Sequence, residues 1–400
     1  MPGQGGRPWV AYVGPFPYPG GAAASRRVLG VAESLSLAGF DVVIASGAGD
    51  SPQDAGKLVG QGERIAWCHL PERVAEHWPR PLRRFRYALM GGRTVEWLAS
   101  QPALPAAVIL YSGYTPYLQR LLPWCRRNRV RLLFDAVEWY EPEHLAGYLT
   151  SPYQWNIEWA MRRLIPKTDG VIAISRYLAD YYRRRGLPVA MVPPTTSAIV
   201  AGDWQPDAKL RLCYAGSPGR HKDDLGTVLR AVARLADEGD AVRLDLAGPE
   251  PAHIAALLGL DSCAGVPWLR AHGMLPQATV GQLVGKADFS VLLREDRRQS
   301  NAGFPTKFVE SFASGTPVIA NLTSDLGQHL CDGDTGLVCE SNDVASLVAT
   351  LRRALALDID AKRRMRAACL AHAAAAFHPR AYSDALRDLV CAGIHAASAS

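Results

Sequence analysis

Short apolar runs alternate with stretches of helical spacing along most of the chain. The run "WVAYVGP" (9–15) reads as a buried strand stopped by glycine and proline. The next segment, "ASRRVLGVAESLSLAG" (24–39), places Val28, Val31, Leu35 and Ala38 on one helical face and ends at Gly39. "FDVVIAS", "AAVILYSG", "VRLLFDA" and "GVIAIS" are further strands with helical stretches between them. The pattern restarts at "LRLCYAGS" (210–217). A helix over 224–239 follows, then the strands "VRLDLAG", "FSVLLR", "TPVIAN" and "TGLVCE". Strand–helix alternation of this kind predicts an α/β fold, parallel sheets covered by helices on both faces.

Between the two series lies "MVPPTTSAIVAGDWQPDAK" (191–209), proline-rich and without periodicity, which reads as a linker. The expected domains are 1–198 and 199–378, both doubly wound and Rossmann-like. A mostly helical tail, broken near "FHPRAY" (377–382), supplies a last helix at about 379–398. Ligands of doubly wound sheets bind at the C-terminal strand ends, so two such domains facing one another would hold a ligand in a cleft.

The 400 residues and the 48% hydrophobic content suit two globular domains. The eight cysteines form no CxxC pair, and the expectation is unpaired thiols in a cytoplasmic protein. No signal-peptide pattern, HExxH motif or apolar run of about 18 residues occurs, so no metal site or membrane span is expected.

Charge is uneven. Residues 1–200 carry 23 Lys and Arg against 15 Asp and Glu, whereas the remainder is nearly neutral. "RPLRRFRYAL" sets Arg80, Arg83, Arg84 and Arg86 beside apolar residues. Such a cluster reads either as a solvated helix face or as a helix meeting an anionic surface such as the inner face of a membrane. No recognisable nucleic-acid module accompanies the charge.

Three stretches offer chemistry. "GPFPYPGGAAASRR" puts Gly20 and Gly21 before a helix, where free N–H groups attract phosphate; a plain loop is the other reading. "YAGSPGRHKDD" ends a strand at Gly216 and offers Arg220 and Lys222. These suit a diphosphate, or else are ordinary loop charges. In "NAGFPTKFVESFASGTPVIA" (301–320), a polar loop precedes a helix entered near Pro305 and closed by Gly315. Lys307 and Glu310 are neighbours on that helix. They form either an i, i+3 surface ion pair, or a phosphate-binding cation beside a carboxylate able to accept two ribose hydroxyls.

Together these segments resemble, in order along the chain, the motifs of glycosyltransferase family 4, the retaining GT-B enzymes. "FPTKFVESFASGTPVIA" resembles the donor-nucleotide signature, and "YAGSPGRHKDDLGTVLRAVARL" the strand–loop–helix with a diphosphate site. "CDGDTGLVCE" and the N-terminal glycine loop follow the same pattern. The resemblance implies two Rossmann-like domains and transfer of a sugar from a nucleotide-diphosphate donor, without metal, to a hydroxyl of a glycan, lipid-linked or small-molecule acceptor. It implies that the first domain binds acceptor, the second donor, and that the last helix returns to the first. Arg220 and Lys222 would hold the diphosphate. Asn301, Gly303, Phe304, Pro305, Thr306 and Lys307 would meet donor sugar and phosphates, and Glu310 the ribose. Met274 and Leu275 would lie at the base. Gly20 and Gly21 would face the phosphates from the acceptor side, and Asp135 or Glu138 would orient the acceptor. The chain departs from the family at Ala302, where a first glutamate is usual, and at Val137, where many relatives carry histidine. A nucleotide-sugar epimerase and a catalytically inactive binding protein of the same fold are the rival readings. A nicotinamide-dependent oxidoreductase is disfavoured, because the fingerprint glycines are missing after Val13.

Overall fold

A computed structural model describes residues 6–20, 23–48, 56–61, 63–72, 89–140, 151–216 and 223–392. It divides into two units, 1–195 with 379–400, and 196–378.

In the first unit the strands are β1 (Trp9–Gly14), β2 (Asp41–Ser46), β3 (Leu58–Gln61), β4 (Ile65–His69), β5 (Ala107–Tyr111), β6 (Arg131–Ala136), β7 (Gly170–Ala173) and β8 (Val189–Met191). They form one sheet in the order β3-β4-β2-β1-β5-β6-β7-β8, parallel except for β3 against β4. The helices are α1 (Ala23–Leu37), α2 (Gly92–Ala99), α3 (Tyr114–Asn128), α4 (Pro152–Trp159) and α5 (Arg176–Arg183).

The second unit has β9 (Leu210–Ala215), β10 (Val242–Ala247), β11 (Leu269–Gly273), β12 (Phe289–Leu292), β13 (Val318–Ala320) and β14 (Gly336–Val338). Their order is β11-β10-β9-β12-β13-β14, all parallel. Its helices are α6 (Leu225–Asp237), α7 (Pro251–Leu258), α8 (Gln277–Lys286), α9 (Arg298–Ala302), α10 (Thr306–Ala313), α11 (Val344–Leu355) and α12 (Ile359–Ala376). The last helix, α13 (Ser383–Cys391), lays Leu386, Leu389 and Val390 into the apolar core of the first unit, beside Val28, Val31 and Leu35 of α1.

Both sheets reverse winding direction beside their first strand, between β1 and β5 and between β9 and β12. Each therefore has a crevice at its C-terminal edge. In both sheets the first strand runs into a glycine that has no substitute. Gly14 has φ +151°, and a Cβ there would lie 2.3 Å from the Tyr111 carbonyl. Gly216 has φ +144°, and a Cβ would lie 2.1 Å from Cε of Lys307.

Three of the four strands absent from the sequence reading, β3, β8 and β11, are sheet edges, and the fourth, β4, lies next to an edge. The half-exposed β4 and the alternating β11 bury too little apolar surface to give a continuous run. The polar stretch before Pro305, expected as loop, contains the short helix α9.

One buried ion pair ties the first unit together. Arg27 of α1 donates from Nε and Nη2 to Asp135 of β6, at 3.1 and 2.8 Å, and from Nη1 to the carbonyls of Val192 and Pro193 at 2.6 and 2.9 Å. The Tyr12 hydroxyl of β1 donates to the same carboxylate. Arg27 is 3% exposed and Asp135 1%. Burial opposes the Arg27 charge, but Asp135 outweighs it and its pKa is raised; burial and Asp135 together drive the Tyr12 phenol far up. Arg27→Ala leaves an unpaired carboxylate inside the unit. The expected loss is about 3–5 kcal/mol, read as a fall in the urea midpoint of the first unit; a loss below about 1 kcal/mol would contradict this accounting.

Candidate functional site

The C-terminal edge of the second sheet gathers charge from three elements. Lys307 lies in the first turn of α10, Arg294 lies just beyond β12, and Asp223 lies before α6. Helix α10 forms there because Phe308, Val309 and Phe312 provide a buried face and Gly315, at φ +69°, closes the chain after it. Pro305 caps it in extended conformation, where its missing N–H costs nothing. Asp224 caps α6 by accepting from the Thr227 N–H at 2.9 Å, which leaves the preceding Asp223 to turn the other way.

Asp223 is the centre of the cluster. Its carboxylate accepts from Nζ of Lys307 and from the Tyr214 hydroxyl, the latter at 2.8 Å, and Arg294 Nε lies 3.6 Å away. Lys307 also donates to the Tyr214 hydroxyl at 2.7 Å. Arg294 is held in turn by Asn321, whose side chain accepts from its N–H at 2.9 Å and donates to its carbonyl at 2.7 Å. Burial would raise the Asp223 pKa, but Lys307, Arg294 and the Tyr214 hydroxyl overcome it and hold the carboxyl below its usual value. Burial draws the Lys307 ammonium down, with Arg294 adding to the effect and Asp223 opposing it. Two cations thus surround one carboxylate. The Asp223 and Arg294 side chains are 7% and 6% exposed, whereas Lys307 keeps 24% exposure.

Gly216 explains how Lys307 reaches this position. The side chain crosses the end of β9 through space that any Cβ would fill. Gly248 repeats the device one strand away, at φ +109° and with its Cβ position 2.5 Å from the Gly216 carbonyl oxygen. Glu310, one turn along α10, is half-buried and lines a small cavity with Lys307, Tyr214 and Ser311.

The neighbouring loops are tied together. Asn301 donates to Asp296 at 2.6 Å and accepts from the Ser324 N–H at 2.8 Å, and the Ser324 hydroxyl donates to the Gly303 carbonyl at 2.5 Å. Gly303, Phe304 and Pro305 are buried, and Thr306 is half-buried. Ala302 is fully buried, so a carboxylate placed there would be desolvated. Met274 is 70% exposed, and Leu275 beside it is half-buried. Gly21, Arg220, Lys222 and the Arg80, Arg83, Arg84 and Arg86 group lie outside the described residues.

In the first unit the sequence candidates separate. Asp135 has both oxygens occupied by Arg27 and Tyr12 in the interior. Glu138, two residues past β6, is half-exposed and ringed by phenols. Tyr140 is hydrogen-bonded to it, and Tyr111 and Tyr153 lie within reach of its charge. Burial first, and Glu138 second, raise the pKa of all three tyrosines. Gly20 is exposed, with only ordinary contact at 3.5 Å to Ser25 Oγ from an added Cβ, so no steric reason fixes a glycine there.

Sequence reasoning assigned no role to Asp223, Arg294 or Arg27. Asp223 stood in the quoted "KDD", where a helix cap and a site acid look alike. Among the described residues no group of three or more His, Cys, Asp and Glu is placed to hold a metal ion.

Two parallel Rossmann-like sheets with ligand-type strand ends are the pattern of GT-B glycosyltransferases, and solved structures bear this out. Sucrose-phosphate synthase from Thermosynechococcus elongatus superposes with a TM-score of 0.72 at 17% identity, covering 98% of this chain and all of that one. WaaG, a glycosyltransferase of lipopolysaccharide biosynthesis, gives 0.64 at 15% identity over 96% of this chain and 100% of its own. Anabaena Alr3699/HepE, solved with UDP and glucose, gives 0.64 at 13% over 95% and 98%. The Glycosyl transferase 4-like domain matches residues 22–195 and the Glycosyl transferases group 1 domain residues 209–356. The chain belongs to this family 4 group of glycosyltransferases. Glycogen synthase of Mycobacterium tuberculosis (strain CDC 1551 / Oshkosh) is 34% identical over 237 residues, 56% of this chain and 54% of that protein. The chain thus matches about half the length of these curated relatives.

Gly216→Ala tests the local geometry. The methyl group must displace Lys307 from Asp223, at an expected cost of about 1–3 kcal/mol in stability. The check is chemical denaturation of the variant against wild type; unchanged stability would mean that Lys307 does not cross the strand end.

Proposed function

We propose that the protein is a retaining glycosyltransferase that moves a sugar from a nucleotide-diphosphate donor to a hydroxyl of a glycan, lipid-linked or small-molecule acceptor. The carrying observation is the position of Lys307 at the edge of the second sheet. It is fixed by Asp223 and Tyr214, has Glu310 beside it in the same cavity, and stays partly exposed at the strand ends where such sheets take ligands.

In this reading the hard step is departure of the diphosphate, with negative charge growing on its oxygens. Lys307, together with Arg220 and Lys222, meets that charge, and the amides around Gly303 to Lys307 at the start of α10 add hydrogen-bond donors. Asp223, itself flanked by Arg294, and the Tyr214 hydroxyl keep Lys307 in place before the donor arrives, so little reorganisation is needed at the moment of reaction. Glu310 accepts from the ribose hydroxyls. Met274 and Leu275 flank the base. On the acceptor side Glu138 is the group able to orient a hydroxyl. Asp135 supports the strand beside it through Arg27 and takes no direct part. The missing carboxylate at Ala302 means that the donor sugar is read by other groups, with Asn301 shaping the loop.

The buried Ala302 also favours a second reading, a GT-B protein that binds nucleotide but transfers nothing. Both readings are tested by thermal stability against UDP, GDP, ADP, CDP and dTDP in the presence of EDTA, for wild type and Glu310→Ala. A nucleotide at about 100 times its dissociation constant adds about 2.7 kcal/mol to wild type. One nucleotide should do so, and much less for the variant; no shift with any of them sinks the donor site. With the matching nucleotide sugar and a hydroxyl acceptor, the product anomer read by NMR should keep the donor configuration. Inversion would refute retention, and absence of any transfer or hydrolysis would favour the binding protein.

A further inference from the structure

The four exposed tryptophan and tyrosine side chains among the described residues all lie between 153 and 177. They are Tyr153 at 53%, Trp155 at 50%, Trp159 at 53% and Tyr177 at 41%. Trp155 and Trp159 are four apart on α4, so they stand on one helical face, and the exposed Arg163 follows in the π-helical turn Ala160–Leu164. Helix α5 is fastened to α4 through the buried Trp139. Its indole donates to Glu158 at 2.9 Å, its ring packs edge-on against Tyr177 and Tyr181, and the Arg162 guanidinium lies 5.2 Å from it. Tyr177 is thereby held on the same region of surface as the tryptophans.

The surrounding charge is net positive. Residues 151–187 carry seven Arg and Lys against three Asp and Glu. One of the three acids, Glu158, is buried and paired with Arg162. Arg126 of α3 reaches the carbonyl of Lys167 at 3.4 Å, which brings further basic residues to the border.

We propose that this face of α4 and α5 docks on an anionic lipid bilayer. Half-exposed tryptophans and tyrosines suit the interface between headgroups and acyl chains, where one end of the ring is apolar and the other wet. Arginine and lysine beside them meet the negative headgroups while their stems cover apolar surface. An aromatic face bordered by basic residues suits a helix lying on the surface, and no described helix is long and apolar enough to cross a membrane. Tyr153, at one end of the patch, is within reach of the Glu138 charge. If Glu138 orients the acceptor, a step that rests on the reading above, the acceptor is presented from the lipid surface.

The test is sedimentation of the full chain, without nucleotide, with vesicles of phosphatidylcholine alone and of phosphatidylcholine with one-third phosphatidylglycerol. Wild type should pellet with the anionic vesicles only, and less so as salt is raised. Trp155→Ala with Trp159→Ala, and separately Arg163→Ala with Lys167→Ala, should each weaken binding roughly tenfold or more. Both pairs are exposed, and an unchanged melting temperature establishes that they fold. Wild type that stays in solution with both vesicles overturns the proposal, as does binding that both double variants keep in full. Either result with nucleotide binding intact leaves the donor-site reading standing. Loss of nucleotide binding with vesicle binding intact does the reverse.

Discussion

A carboxylate cannot be buried without a partner, and each unit satisfies that constraint at its C-terminal strand edge in a different proportion. In the first unit one carboxylate, Asp135, meets one cation, Arg27, and the remaining donors and acceptors are taken up by Tyr12 and two carbonyls. The result is neutral and buried. In the second unit one carboxylate, Asp223, meets two cations, and one of these, Lys307, stays partly in solvent. The first arrangement holds elements together. The second leaves Lys307 within reach of solvent, with Glu310 beside it. The same side-chain chemistry is therefore structural in one unit and a candidate site in the other, and the difference lies in the exposure of the groups rather than in their type.

Backbone makes the second arrangement possible. A lysine on a helix that follows β12 can reach an acid that follows β9 only by crossing the end of β9, and Gly216 keeps that passage open. Gly14 serves the same geometric position in the first sheet, but there the space is filled by the Tyr111 carbonyl. The two sheets share a winding order, a switch point and a strand-end glycine, and they diverge in what fills the glycine's missing Cβ.

The alternating strands and helices were legible in the sequence because central strands of parallel sheets are buried on both faces and show as apolar runs. Edge strands such as β8 and β11 were not, since burial on one side gives no such run. In the site, Lys307 and Glu310 could be singled out because they are local, one turn apart on a helix with a readable start and stop. Their partners could not. Asp223 is 84 positions from Lys307, and Asp135 is 108 from Arg27. In the sequence Arg27 is one more charge beside a helix's apolar face, and only the fold turns it inward.

The pairing of Lys307 with Asp223 bears on how a donor would bind. An incoming diphosphate does not meet a bare ammonium but one already hydrogen-bonded, so it must share Lys307 with Asp223 or displace that carboxylate. Sharing is the less costly course, because Asp223 keeps Arg294 as a partner in either case and its own burial forbids release into solvent. The cation is then held at a fixed position with part of its charge already balanced. That weakens attraction for any small anion but matches a ligand carrying two or more charges and hydroxyl groups placed to engage Glu310 one turn away. Selectivity for a nucleoside diphosphate over free phosphate would thus follow from the carboxylate at the centre of the cluster as much as from the cations around it.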